Sequence, residues 1–145
     1  MDYVIDGNEK VIGRAASQIA KLLLNENNVS LVNSEKMVMT GHSRDIIAKY
    51  KQLVELKDKA NPEHSPYWPR RPDMFVKRII RGMLPYKRPK GKAAFKRLRV
   101  YIGVPEEFKK AKFHTVETKK PKEIFERSMS ISQLTEKLGY KHEVA

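Results

Sequence analysis

The sequence predicts an α/β fold in which the central strands pair in parallel. "YVID" (Tyr3–Asp6) has the composition of a short strand and runs into the turn residues of "DGN". Apolar residues then recur at helical spacing, and "VSLVN" (Val29–Asn33) is again rich in β-formers. A strand, a helix and a strand in about 30 residues make a βαβ unit, which implies parallel pairing through a right-handed crossover.

The first helix is predicted from an apolar stripe that starts near Gly13. Its members fall at i, i+4, i+7, i+8 and i+11, which is one face of an amphipathic helix: Ile12, Ala16, Ile19, Ala20 and Leu23. "NENN" ends this helix. After a short turn at Ser34–Glu35, "MVMTG" (Met37–Gly41) predicts another strand.

A second helix is predicted from Ser43 to Leu53, where apolar residues again form a stripe. The next segment, residues 61–72, differs in composition, since it holds four prolines from Pro62 to Pro72. Proline fixes its own φ angle and restricts the residue before it. We therefore expect an extended loop of restricted flexibility.

The segment that follows the prolines carries most of the charge of the protein. The chain has a net charge of +13, and the stretch from Arg70 to Arg99 holds twelve lysines and arginines against one acid, Asp73. The other 115 residues are nearly neutral, with 18 basic and 16 acidic side chains. The sequence thus predicts a localised basic face on a nearly neutral body.

Apolar residues threaded through the basic segment predict that it is folded. Pro72 and Asp73 suit a helix start and Pro85 a helix stop. Wound as a helix, this stretch has two faces: Val76, Ile79, Ile80 and Met83 share one, and Lys77, Arg78 and Arg81 share roughly the opposite one. Tyr86–Lys92 is predicted as a loop, followed by a short helix and the strand "RVYIG". This gives a basic helix–loop–helix face.

The C-terminal part divides into two predicted pieces. Residues 104–130 are predicted to form an irregular extension. Residues 130–139 predict a compact helix, in which Ser130 and Gln133 have the spacing of a capping box and Gly139 suits the C-terminal cap. With 145 residues, the whole chain (1–145) is expected to be one domain.

Composition excludes several classes of site. There is no cysteine, so disulfides and thiolate-bound metals are excluded. No apolar run approaches the roughly 20 residues of a membrane span, and the N-terminus has no signal-peptide layout. We expect a cytoplasmic protein with no cofactor, no bound metal, no membrane partner and no small-molecule substrate.

The concentration of charge favours a nucleic-acid partner. A lysine-rich face is usually solvated surface, but twelve basic residues against one acid repel one another unless an anion neutralises them. Arginine binds phosphate in a bidentate way and stacks on bases. If about half of the twelve side chains touch phosphates, log K against log[salt] should have a slope of roughly −4 to −5.

Helix-turn-helix, zinc-finger, heptad-zipper and aromatic RNA-recognition patterns are all absent from the sequence. Structured RNA is favoured because the proline-restricted loop places aromatic residues beside Arg70 and Arg71. Tyr67 and Trp68 stand beside the basic segment and either stack on splayed bases or anchor the loop onto the core; both alternatives stay open. His42 and Arg44 follow a predicted strand and are further candidates for RNA contact.

Catalysis has little support in the sequence. The four histidines, His42, His64, His114 and His142, show no metal-ligand spacing. Gly7 and Gly13 are a weak echo of a nucleotide site and are better explained as turn residues. Two alternatives stay open beside a structural RNA-binding role: an RNA-binding regulator, and an enzyme that acts on nucleotides or RNA.

Several stretches resemble one family in the same order. "IRGMLP" (Ile80–Pro85), a spacer, "GK" (Gly91–Lys92) and "LRVYIG" (Leu98–Gly103) are similar to the signature of the L-thirteen family of large-subunit ribosomal proteins. "VIGRAASQIAKLL", "VNSEKMVMTG" and "RRPDMFVKR" also resemble stretches of this family. The proline-rich approach "SPYWPRRP" resembles the archaeal and eukaryotic type.

The resemblance implies a three-layer α/β/α domain around a small parallel sheet, without enzymatic activity. It implies that the protein supports assembly and translation as a structural constituent of the large subunit, and that its partners are large-subunit ribosomal RNA and neighbouring large-subunit proteins. Ser34 departs from the usual alanine and is expected to matter little. The candidate RNA-binding residues are Arg70, Arg71, Lys77, Arg78, Arg81, Lys87, Arg88, Lys90, Gly91, Lys92, Lys96, Arg97, Arg99, His42, Arg44, Tyr67 and Trp68.

Overall fold

The structure, a computed structural model, describes residues 1–114 and 127–141. The elements alternate between strand and helix in the first half and become mainly helical in the second. In chain order they are β1 (Asp2–Asp6), α1 (Ile12–Leu24), β2 (Asn28–Val32), β3 (Val38–Thr40), α2 (Ser43–Glu55), α3 (Pro72–Gly82), α4 (Pro89–Lys96), β4 (Leu98–Val100), β5 (Ser128–Ser130) and α5 (Ile131–Lys137). Single 3-10 turns lie at Ser34–Lys36, Pro62–His64 and Glu106–Phe108.

The main sheet is parallel and has the strand order β1-β2-β4. Ile5 pairs with Leu31, and Leu31 pairs with Val100 on the other side. Ile5 and Leu31 are fully buried, as expected of a small parallel sheet covered by helices. The predicted βαβ unit is confirmed, and so is the α/β class with the architecture of a three-layer α/β/α domain.

A second, two-stranded sheet was not predicted. β3 pairs with β5 in antiparallel fashion, with Met39 opposite Met129. β5 belongs to the segment 104–130 that was expected to be irregular, so that prediction is wrong at this end. At the other end of the segment, the His114 backbone N–H donates to the Val4 carbonyl at 2.7 Å.

One hydrophobic cluster joins the helices and the parallel sheet. α1 buries its predicted stripe, with Ile19 and Leu23 fully shielded from solvent. Helix α5 adds fully buried side chains to the same cluster. Its predicted cap is confirmed, because Ser130 Oγ accepts from the Gln133 N–H at 3.3 Å and Gln133 Oε1 accepts from the Ser130 N–H at 3.4 Å.

The proline-rich loop is tied down by its own hydrogen bonds. Ser65 Oγ accepts from the Asp58 N–H at 2.9 Å and closes the two ends of a small loop. Inside it, Asp58 Oδ1 accepts from the Ala60 N–H, and Asn61 caps the 3-10 turn. Beyond it, Pro69 is buried. These contacts are of the kind that restrict a loop, and its restricted flexibility stays a prediction.

Candidate nucleic-acid interface

The basic segment lies on two helices whose inner faces belong to the core. In α3, Phe75, Val76 and Ile80 are fully buried, and burial of each stabilises the fold by about 1.5–3 kcal/mol. Met83, which was predicted to belong to this stripe, is 41% exposed. The helix ends at Gly82, so Met83 does not continue its face, and Phe75 fills the core instead.

Helix α4 starts earlier than predicted and changes the role of Gly91. The predicted loop Tyr86–Lys92 ends at Arg88, because α4 begins at Pro89. A Cβ atom on Gly91 would lie 2.0 Å from the Pro85 carbonyl oxygen, so this glycine lets α4 cross the chain's own backbone. Gly91 is buried, and the backbone that it approaches is that of Pro85 and Tyr86 rather than RNA.

Three cations of the basic segment lie over aromatic rings. The distances from the charged group to the ring centroid are 4.1 Å for Arg81 over Tyr86, 4.8 Å for Arg78 over Trp68 and 5.1 Å for Lys77 over Phe95. Such stacking leaves the positive charge intact while it restricts the side chain, at a gain of about 0.5–1 kcal/mol for an exposed pair. The three side chains are therefore positioned before any ligand binds.

The two stacked arginines, Arg78 and Arg81, line a groove of about 720 Å³ between Trp68 and Tyr86. Lys87 and Arg88 complete its cationic lining, and no carboxylate is among the residues that line it. A groove lined by one sign of charge concentrates the opposite sign. Its electrostatics therefore suit a phosphate backbone.

The one acid of the segment is used internally. Asp73 accepts from Arg71 Nε at 3.2 Å and from Arg71 Nη2 at 3.0 Å, which neutralises Arg71 in part. The other predicted cations differ in exposure: Arg97 is half-buried. Those whose side chains are exposed are Arg70, Lys87, Arg88, Lys90, Lys92, Lys96 and Arg99.

Tyr67 and Trp68 differ in their packing: the anchoring alternative holds for Trp68, and base stacking by Tyr67 stays a prediction. Trp68 packs edge-on against Tyr50, with 5.6 Å between centroids, and lies 6.0 Å from Phe75. It anchors the proline-rich loop and also carries Arg78. Tyr67, by contrast, is 76% exposed and leaves a ring face open to a ligand.

His42 and Arg44 lie apart from the basic segment in their interactions. Both are exposed at the start of α2, and Arg127 Nη1 lies 2.8 Å from His42 Nε2, within hydrogen-bonding distance. In the part of the chain that the structure describes, no hydrogen bond, ion pair or ring contact joins either residue to residues 70–99. The structure therefore does not unite them with the basic face.

The sequence reasoning missed the aromatic partners Tyr86 and Phe95. The two rings pack edge-on with 5.4 Å between their centroids. Phe95 contacts Lys77 and Tyr86 contacts Arg81, which lies one helical turn further along α3. A signal was present, since "YKRP" places a tyrosine directly after a basic helix. Interleaved aromatic and basic residues are typical of nucleic-acid surfaces.

The carboxyl end of the parallel sheet, where α/β proteins bind nucleotides, is filled by the chain itself. Asn33 Nδ2 donates to Asp6 at 2.8 Å, and Ser34 Oγ donates to the Tyr101 carbonyl at 2.8 Å. Gly7 packs on the Val32 and Asn33 carbonyls. Gly7 is thus a packing feature, whereas Gly13 has open space where a Cβ would lie. Ser34 is fully buried and hydrogen-bonded, which argues against the expectation that it matters little.

Residues 1–114 and 127–141, which the structure describes, hold neither a metal-ligand cluster nor a membrane-spanning helix. No group of three histidine, aspartate or glutamate side chains there is placed to hold a metal ion. No helix within those ranges has the length and apolar character needed to cross a bilayer.

Comparison with known proteins places the chain in a family. The sequence model of the family described as "Ribosomal protein L13" matches residues 1–107. Three archaeal relatives carry the name "Large ribosomal subunit protein uL13". That of Methanosphaera stadtmanae is 40% identical over 142 residues, which cover 97% of this chain and 99% of the relative.

The other two relatives named here also match most of the chain. The Methanococcus maripaludis protein is 48% identical over 104 residues, or 71% of this chain and 76% of the relative. The Methanopyrus kandleri protein is 37% identical over 146 residues, or 94% of this chain and 86% of the relative. The matched region includes the parallel sheet, both basic helices and the groove between Trp68 and Tyr86, and the chain belongs to the ribosomal protein L13 family.

Proposed function

We propose that this protein is a structural constituent of the large ribosomal subunit and that the Arg70–Arg99 surface binds ribosomal RNA. The observation that carries the proposal is the confinement of charge: twelve of thirty basic residues occupy this one segment. The names of the relatives, which are large-subunit proteins, support the same assignment. Neighbouring large-subunit proteins are the expected further partners.

The division of labour within the surface follows from its geometry. Helices α3 and α4 bury their apolar faces and hold the charges at fixed positions. The stacked Arg78 and Arg81 offer planar guanidinium groups that bind phosphate oxygens in a bidentate way. Gly82 is exposed with open space around its Cα, so RNA backbone can approach α3 closely there. The exposed lysines add charge with less directional preference.

Charge reversal tests this assignment. The variant Arg78→Glu/Arg81→Glu places two acids in the groove, whereas Arg14→Glu/Lys51→Glu makes the same change of charge at exposed sites on α1 and α2. Each full-length variant is expressed with a tag, and the lysate is sedimented through a sucrose gradient at low and then at high salt. Circular dichroism of the purified proteins checks that both variants fold.

The proposed function predicts a clear difference between these variants. The wild type and the control double variant should co-migrate with the large subunit and stay there at high salt. Arg78→Glu/Arg81→Glu should remain at the top of the gradient as free protein. Normal incorporation of that variant would show that another surface binds the RNA. Free wild-type protein at both salt concentrations would instead favour a regulator that acts away from the ribosome.

A further inference from the structure

A second groove shares Trp68 with the groove between Trp68 and Tyr86 but is otherwise lined by different residues. It has a volume of about 790 Å³ and lies between the end of α2, the proline-rich loop and the first turn of α3. Three large apolar side chains line it while they remain exposed: Leu56 at 52%, Tyr67 at 76% and Met74 at 48%. An exposed apolar cluster of this kind is typical of a binding site.

The charges around this groove indicate what kind of ligand it takes. Lys57, Arg70 and Arg71 line it, and no carboxylate is among its lining residues. Arg71 is already paired with Asp73, so Lys57 and Arg70 remain for an anion. The groove therefore combines an apolar floor, an open aromatic ring and two cations, which are the three features that hold a nucleotide.

The groove is also continuous with the proposed RNA-binding surface. Trp68 lines both grooves and carries the stacked guanidinium of Arg78. An RNA strand whose phosphates lie along Arg78 and Arg81 would pass directly over Trp68. Tyr67 directly precedes Trp68 in the chain and is exposed, so a base that leaves the helical stack of that strand would have an aromatic ring available beside Trp68.

The walls of the groove are in place before a ligand binds. The hydrogen bond from the Asp58 N–H to Ser65 Oγ and the cap made by Asn61 fix the loop on one side. Buried Pro69 and the contacts of Trp68 with Tyr50 and Phe75 fix the floor. A preformed site avoids the ordering cost that a flexible loop would incur on binding.

We propose that this groove binds an unpaired nucleotide of the RNA, with its base stacked on Tyr67 and packed against Leu56 and Met74, and its phosphate beside Arg70. This inference rests on the proposed function and specifies the RNA further: a strand with a splayed-out base beside the duplex or loop that contacts α3. The basic surface then supplies charge, and the groove selects the shape of the RNA.

The test measures binding of the full chain to deproteinised large-subunit ribosomal RNA by filter retention. Tyr67→Ala should weaken binding by about 5- to 150-fold, the range for loss of one base–aromatic stack. Tyr67→Phe should bind within about twofold of wild type because it retains the ring. The salt slope should be the same for all three proteins, since no charge is removed.

A crosslink identifies the nucleotide. Irradiation of the complex at short ultraviolet wavelength, followed by trypsin and ribonuclease, should yield a nucleotide on the peptide 60–70, which contains Tyr67. That nucleotide should be reactive to base-specific chemical probes in the free RNA, as an unpaired base is. A crosslink to a paired nucleotide, or none on this peptide, would overturn the proposal.

The charge-reversal variant Arg78→Glu/Arg81→Glu separates this inference from the proposed function. If Arg78→Glu/Arg81→Glu abolishes RNA binding while Tyr67→Ala binds like wild type, the basic surface stands and the groove proposal fails. If Tyr67→Ala binds RNA normally but dissociates from large subunits at high salt, the groove holds a protein segment and the proposal is again wrong. If wild-type protein does not bind the RNA, both proposals fail.

Discussion

Replacement of Tyr86 by leucine tests whether the aromatic rings position the arginines. The Arg81 guanidinium lies 4.1 Å from the centre of the Tyr86 ring. Leucine keeps an apolar side chain at this half-buried position but removes the ring. Arg81 keeps its charge and regains its rotamer freedom, so the variant separates the position of the charge from its presence.

Two free energies bound the expected effect on RNA binding. Immobilising a free arginine on binding costs about 0.5–1.5 kcal/mol. In the wild type, stacking on Tyr86 already restricts the arginine, and this contact is worth about 0.5–1 kcal/mol. The loss of binding free energy in Tyr86→Leu cannot exceed the smaller of these two free energies. We therefore expect Tyr86→Leu to raise the Kd for large-subunit ribosomal RNA by about two- to fivefold.

The salt dependence distinguishes positioning from charge. Filter binding of the full chain between about 50 and 200 mM salt gives the slope of log K against log[salt]. Tyr86→Leu should leave the slope unchanged because the number of charges is unchanged. Arg81→Ala should reduce its magnitude by about 0.7–0.9, the contribution of one phosphate contact. Tyr86→Phe, which keeps the ring, should behave like wild type.

A loss of stability must be separated from a loss of affinity. Tyr86 also meets Phe95 edge-on at 5.4 Å, a contact worth about 0.5–1.5 kcal/mol. Urea unfolding of each variant measures this loss. Binding is compared only under conditions where the free energy of unfolding exceeds roughly 1.4 kcal/mol, so that more than nine-tenths of the protein is folded. The reasoning would be refuted if Tyr86→Leu bound RNA as tightly as wild type while Arg81→Ala did not.

Three further predictions concern the fold. Gly91→Ala should destabilise by about 1–3 kcal/mol or more, since its Cβ would meet the Pro85 carbonyl, whereas Gly13→Ala, in open space, should stabilise by about 0.5–1 kcal/mol; equal urea midpoints would contradict this. Ser34→Ala should cost about 0.5–1.5 kcal/mol by the same assay, and an unchanged midpoint would argue against it. Burial raises the pKa of Tyr50 above its ordinary value of 10.0 because the buried site disfavours the charged phenolate. The stability that this neutral tyrosine contributes is fully present below pH 10.0, the pKa in the unfolded chain. That stability is lost as pH rises through the higher folded pKa, and Tyr50→Phe should reduce the alkaline loss; an identical pH profile would refute the argument.

The sequence allowed prediction of those features that depend on local periodicity and capping. The strands and the helix of the βαβ unit, the stripe of α1 and the cap at Ser130 are each specified by residues that are neighbours in the sequence. Gly91 was predicted to lie in the Tyr86–Lys92 loop, where it would allow close backbone approach. Its presence inside α4 follows from a contact with Pro85, six residues earlier, which only the folded chain creates.

Pairings between distant segments could not be predicted in the same way. The β3–β5 sheet joins residues about ninety positions apart, and no local pattern specifies which short strand takes which partner. The position of Lys77 over Phe95 likewise depends on how α3 packs beside α4. The charges of the candidate surface could be read from the sequence, but not the rings that position them.

The pairing of β3 with β5 also affects the order in which the protein matures as it is synthesised. Ile131 and Leu134, which follow β5, are fully buried in the same core as Phe75. The basic surface leaves the exit tunnel before these residues do, so its supporting core stays incomplete at that stage. A highly cationic segment is then exposed before the residues that complete its supporting core have been added.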